Sequence, residues 1–173
     1  IGVASKEGNI AFLKTGKDSG TSTCDPKIIA KHKKKGDYCE EIIIPVQTLS
    51  SVVGKYVDTK QPIHFCKIDV EGFEKEVLQG LDLKKIRPWV FVIESISPGT
   101  NKLTYLEWED ILIRNGYKFV LGEQLNRYYI SKEKEYLRDK FLPSNQLKEI
   151  YNIYNVLDKD VYLKSYAYRL GLM

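Results

Sequence analysis

Two apolar runs that each finish in an acid limit most sharply what this chain can fold into. Ile63 to Val70 (IHFCKIDV) is short and rich in β-formers. Trp89 to Ile93 (WVFVI), introduced by Pro88 and followed by Glu94, is continuously apolar, as strands covered on both faces are. Between them Phe73, Val77, Leu78 and Leu81 share one helical face, and Gly72 marks a tight turn into it. Strand, turn, helix and strand predict an α/β fold whose two central strands run parallel.

The remaining segments fit around that unit. Ile1 to Ala4 and Ile10 to Leu13, punctuated by Gly8, predict a strand, a turn and a second strand. Ile1 to Ala4 reads as the tail of a strand already under way, so the expectation is that earlier elements precede it. Thr15 to Asp37 is polar, glycine-bearing and lysine-rich, and reads as a long surface loop with at most a short helix. Glu40 to Val46 returns to strand chemistry, with Pro45 restricting it to an edge or a strand end because proline donates nothing to the ladder. Thr48 is placed as the N-cap of a helix burying Leu49, Val52, Val53 and Tyr56. Thr104 and Glu107 form a capping-box pattern before a helix presenting Tyr105, Trp108, Ile111 and Leu112, stopped by Asn115 and Gly116. Tyr117, Phe119 and Leu121, then Tyr128 and Ile130, alternate at period two about a turn near Gln124 to Asn126, which predicts a closing antiparallel hairpin. After Ser131 the character changes. Leu147, Ile150, Tyr151 and Tyr154, then Tyr162, Tyr166 and Leu170, predict helices, so the expected division is an α/β domain over 1–131 and a helical tail or linker over 132–173.

Charge and cysteine usage narrow the class. The net charge of +4 is mild and partly local, in Lys31, Lys33, Lys34 and Lys35 around His32, which reads as a solvated loop. A nucleic-acid partner calls for a basic stripe carried through several elements. Three cysteines with no C-x-x-C spacing argue against a disulfide framework and a zinc site, and suit a reducing cytoplasm. No run of about eighteen apolar residues is present, so no membrane span is expected. His32 and His64 stand apart without a second ligand at metal spacing, so no metal is expected either.

In open α/β sheets ligands bind beyond the carboxyl ends of the strands. Those ends carry Lys67, Asp69, Glu71 and Gly72 in one case and Glu94 and Ser95 in the other. Glu71 and Glu74 fall in the first turn of a helix, where the macrodipole alone stabilises an acid by about 0.3 to 1 kcal/mol and explains their presence. Asp69 is different, since an acid inside the last residues of a buried strand is costly unless paired or used. Glu94 follows the same logic closer to solvent. Lys67 is the natural partner for a neighbouring acid.

VQTL at 46–49, FCKIDVEGFEKEVLQGL at 65–81 and RPWVFVIES at 87–95 together resemble the FkbM family of S-adenosylmethionine-dependent methyltransferases. Weaker echoes fall in the same order: Val3, Ala4 and Ser5 with Glu7 and Gly8, then Gly20, Thr21 and Ser22, then the hairpin containing Asn126. The resemblance covers Ile1 to about Ser131. It implies a Rossmann-like sheet, S-adenosylmethionine as cofactor and methyl transfer to a hydroxyl of a sugar or polysaccharide, with a fused or associated glycosyltransferase module as a partner. With the strand ends it implies Asp69, Glu71 and Glu94 as catalytic, Ala4, Ser5 and Asp69 at the cofactor, and Lys67, Ser95 and Asn126 at the substrate. One departure stands out. No G-x-G occurs in the chain, so the expectation is an amino-terminally incomplete domain lacking the glycine-rich loop, which by itself binds cofactor poorly. Two rival readings are a metal-dependent glycosyltransferase using Asp69 and Glu71 for a divalent cation, and a non-catalytic interaction module.

Overall fold

The strand, helix and strand unit forms as its pattern predicts. The structure, a computed structural model, describes residues 1–15, 22–35, 39–58, 60–97, 102–123 and 125–141. In it β4 (Phe65–Ile68) runs parallel to β5 (Val90–Glu94), with Ile68 opposite Ile93. The helix between them in sequence, α3 (Glu74–Gln79), buries Val77 and Leu78. The other edge of β5 pairs antiparallel with β7 (Asn126–Ser131), and β7 in turn with β6 (Tyr117–Glu123), giving the order β4-β5-β7-β6. The period-two hairpin is therefore real, with a register shift between Phe119 and Leu121. Phe91, Ile93, Leu78, Leu112, Trp108, Tyr117 and Tyr129 form the sealed centre of the core. Each such side chain contributes about 1.5 to 3 kcal/mol by leaving water.

One expectation about this sheet is corrected. β4 is not a central strand: it is the edge strand of its sheet among the described residues, and Phe65 is 68% exposed. An apolar run reports strand chemistry but not whether a neighbour lies alongside.

The second sheet contains β1 (Gly2–Ala4), β2 (Gly8–Thr15) and β3 (Cys39–Thr48) in the order β1-β3-β2, with β1 parallel and β2 antiparallel to β3. Pro45 thus lies in the central strand, not an edge strand. It is tolerated because it faces Asn9 of β2 one residue before the pairing with β1 begins at Val46.

Helices depart from the expectation at two places. The lysine cluster lies on a ten-residue helix, α1 (Pro26–Lys35), rather than in a loop. Asp25 accepts from the Lys27 N–H at 2.7 Å and Pro26 supplies a preset first turn, a start signal that the lysines masked. Thr104 makes no capping bond. A single 3-10 turn at Tyr105–Glu107 precedes α4 (Glu109–Arg114), which buries Leu112 and stops at Asn115 and Gly116, the latter at φ +78°. By contrast, Thr48 caps α2 (Leu49–Tyr56) as expected, accepting from Ser51 N at 3.0 Å, while Tyr56 is exposed.

Ile1–Glu135 forms one compact unit and Tyr136–Met173 a second. A 3-10 run at Lys132–Lys140 is kinked at Lys134. The helices expected around Leu147 to Tyr154 and Tyr162 to Leu170 lie outside the described residues, as do Gly20, Thr21 and Gln124. No helix among the described residues is long and apolar enough to cross a membrane.

Candidate active site

The site is organised by the turn between β4 and α3. Glu71 and Gly72 both adopt positive φ, +53° and +97°. The left-handed region is costly for a side chain such as glutamate, on the order of 1 kcal/mol, and needs support from around it. Two contacts supply it. Thr23 Oγ1 donates to the Glu71 carbonyl at 2.8 Å, and Glu74 Oε1 accepts from Val70 N at 3.2 Å and Gly72 N at 3.1 Å. Glu74, 2% exposed, thereby fastens the turn, in keeping with a structural reading of that acid. A Cβ on Gly72 would sit 2.8 Å from Ile28 Cδ1, so α1 rests directly on the turn.

Beyond that turn the strand ends converge. Asp69, Glu71 and Glu94 each place one carboxylate oxygen within 4.8 Å of the others. Lys67 Nζ donates to Asp69 Oδ2 at 2.7 Å and to Asn126 Oδ1 at 3.1 Å, and Asn126 lies opposite Glu94 in the β5–β7 register. Lys67, Asp69, Glu71, Glu94 and Asn126 are therefore brought together. That spacing also suits the oxygen shell of a hard cation.

The burial argument moves from one acid to another. Asp69 is exposed and ion-paired, because β4 has an open edge, so it bears no burial penalty of the kind its sequence context suggests. Glu94 bears it instead: it is 7% exposed and its Oε2 has no hydrogen-bond partner. Burial, joined by the negative charges of Glu71, Asp69 and Glu74 and opposed by Lys67, pushes the Glu94 carboxyl up to about 8. Burial also raises Glu71, with Asp69 and Glu74 adding to it.

Other expected site residues lie elsewhere. Ser95 is buried behind the rim, its hydroxyl donating to the Leu125 carbonyl at 3.0 Å. Ala4 and Ser5 pack against Gly80 at the far end of α3 from the turn. Strand β1 instead reaches the acids through its opening residues: Ile1, Gly2 and Val3 line a cavity of about 600 Å³ together with Asp69 and Glu71. A second cavity, of about 520 Å³, lies between the starts of α1 and α3 and the segment carrying Thr104 and Trp108. Phe73 walls both. Thr23 was not legible as a support of this turn, since its partner, the Glu71 carbonyl, comes from distant sequence.

The acids gather where neighbouring parallel strands of an α/β domain end, the place where such sheets bind ligands, and the family match makes the class methyltransferase. Residues 1–119 match the methyltransferase FkbM domain, and the chain belongs to that family. The match runs from β1 into β6, so Asn126 on β7 lies beyond it. No curated protein and no solved structure matches the chain.

Proposed function

We propose that the protein is an S-adenosylmethionine-dependent O-methyltransferase of Rossmann-like architecture acting on a hydroxyl of a sugar or polysaccharide. The observation that carries this reading is Glu94: a buried carboxylate with an unpartnered oxygen, held at a rim shared with Asp69 and Glu71. Its raised pKa makes it a base poised near neutral pH.

The donor group would lie in the cavity walled by Val3, Asp69, Glu71 and Phe73, where two acids suit its positive charge and apolar side chains suit its adenosine. It supplies an electrophilic methyl. The fit is to charge and shape only, because the chain has no G-x-G turn to bring backbone close to a nucleoside. Glu94 accepts the proton of the acceptor hydroxyl as that oxygen becomes nucleophilic. Asp69, fixed by Lys67, orients the acceptor, and Asn126 steadies the Lys67 ammonium. Holding the hydroxyl in line contributes as much as the proton transfer itself.

The test incubates the protein with S-adenosylmethionine and a panel of sugar acceptors, reading product mass and released S-adenosylhomocysteine. Glu94→Gln is expected to lower turnover by about 100-fold or more while leaving donor affinity unchanged. Unchanged turnover in that variant overturns the reading. The glycosyltransferase alternative is separated in the same assay: a chelator leaves methyl transfer intact, whereas cation-dependent sugar transfer from a nucleotide sugar stops.

A further inference from the structure

The three carboxylates at the rim outnumber the positive charge that answers them. Asp69, Glu71 and Glu94 each bring one oxygen within 4.8 Å of the others. Among the described residues a single ammonium, that of Lys67, pairs with the group, at Asp69 Oδ2, and Asn126 draws on the same ammonium. Glu71 and Glu94 pair with no cation among the described residues. The neighbouring acid Glu74 is spent on the turn, where it accepts from Val70 N and Gly72 N.

A surface cluster of acids is ordinarily satisfied by water, and Glu94 is not. It is 7% exposed, its Oε2 is buried without a hydrogen-bond partner, and its carboxylate reaches the other two acids. A charged oxygen shut away from water in this way is costly until something positive meets it. Glu71 reaches the same point from a left-handed backbone, φ +53°, that Thr23 and Glu74 hold in place.

We propose that Asp69, Glu71 and Glu94 form a binding site for a divalent cation of about the size of calcium. Every donor is a carboxylate oxygen, the ligand that hard cations take. When three oxygens lie within 4.8 Å of one another, some point lies within about 2.8 Å of all three; calcium–oxygen bonds of about 2.3 to 2.6 Å need only slight closure, whereas magnesium at about 2.0 to 2.1 Å needs more. Lys67 uses one oxygen of Asp69, and a carboxylate has two. The ion has a way in from the cavity that Asp69 and Glu71 line, since the Asp69 side chain is 42% exposed. The site stands on the carboxylates and not on the methyltransferase reading, but it bears on that reading. An ion seated here holds Glu94, the group that takes the acceptor proton, so filling the site slows methyl transfer.

Binding is tested without methyl donor or acceptor. The 173-residue chain is stripped of metal with a chelator, dialysed, and titrated calorimetrically with calcium chloride or magnesium chloride. One calcium ion per chain is expected, with magnesium at least about tenfold weaker. Glu94→Gln and Glu71→Gln are each expected to weaken calcium at least about tenfold by removing a charged ligand. Glu94→Gln takes a charge out of a buried position, so loss of folding does not account for its effect. Asp110→Asn, which removes an acid paired with Arg114 instead, is expected to leave calcium affinity unchanged. No calcium binding by the parent chain, magnesium held as tightly as calcium, or unaltered calcium affinity in Glu94→Gln overturns the proposal. In the methyl-transfer assay added calcium is expected to slow turnover at least about tenfold and a chelator to restore it. Calcium that binds without slowing turnover takes the role of base from Glu94 and leaves the cation site standing, whereas calcium binding with no methylation under any condition removes the methyltransferase reading alone.

Discussion

At the scale of single residues, Glu94 sets function against stability. Its carboxyl titrates near 4.5 when free and at about 8 in the fold. Between those values the folded protein holds a proton that the unfolded chain has released, so stability falls as pH rises through that window and stays low above it. This is the reverse of an ion-paired acid. Glu94→Gln removes the penalty: the variant is expected to match the parent below about pH 4.5 and to exceed it by a few kcal/mol above pH 8, by the linkage between pKa and folding. Urea unfolding at pH 4 and pH 8.5 measures this, and a variant no more stable at the higher pH would show that the carboxylate is solvated after all. Sequence placed Glu94 at the right strand end. It could not rank Glu94 above Asp69, because the ranking depends on which strand has an open edge. Lys67 was legible as a partner because it lies two residues before Asp69, the spacing that puts side chains of extended backbone on one side.

At the scale of elements, the fold is fastened where backbones meet rather than by apolar area alone. Gly80 ends α3, and a Cβ there would lie 2.2 Å from the Ala4 carbonyl oxygen, a contact with backbone that cannot swing aside. Ser50 of α2 binds the same glycine, donating from N at 3.1 Å and from Oγ at 2.9 Å to its carbonyl. Gly80→Ala is therefore expected to force β1 off α3 and to destabilise by about 2 to 3 kcal/mol, typical of overpacking against a rigid neighbour. Chemical denaturation checks this, and a loss under 0.5 kcal/mol, the range of ordinary surface changes, would mean that β1 yields freely. Elements with a strong period were readable: β5 as an apolar run, β6 and β7 as an alternating hairpin, α2 from its Thr48 cap. Elements decided by competition were not. The lysines of α1 resemble loop composition although Asp25 and Pro26 start a helix. Thr104 and Glu107 have capping-box spacing, yet the backbone at Thr104 is already near-helical, φ −102° and ψ −17°, and no side-chain cap forms. The spacing alone does not record the backbone geometry that Thr104 adopts.

At the scale of the whole molecule, the question is where the α/β unit ends. The sequence changes character after Ser131, but the interactions that close the unit run four residues further. Lys132 N donates to the Gly116 carbonyl at 2.9 Å. Glu133 receives both contacts of Arg87 Nη2, at 2.9 and 2.7 Å, while Arg87 Nη1 donates to the carbonyls of Leu83 and Asn115. Glu135 pairs with Lys118 at 2.6 and 2.8 Å. Arg87 thus joins the loop after α3, the end of α4 and the strand-exit segment through one side chain. A chain ending at Glu135 is expected to unfold at the same temperature as the 173-residue chain. One ending at Ser131 is expected to melt several degrees lower, since roughly 1 to 2 kcal/mol of charge-assisted contact is lost from a unit of this size. The pH dependence identifies the cause. Burial is the largest single influence on Glu133 and opposes its ionisation, but its hydrogen bonds and the Arg87 charge together outweigh it and hold the carboxyl below the usual range. An acid depressed in the fold stabilises above its unfolded pKa and loses that contribution as pH falls through the folded one. The gap between the two truncated chains should therefore narrow in acid, and Glu133→Gln in the 173-residue chain should reproduce the part that disappears. Equal melting of both truncations at neutral pH would move the end of the unit back to Ser131.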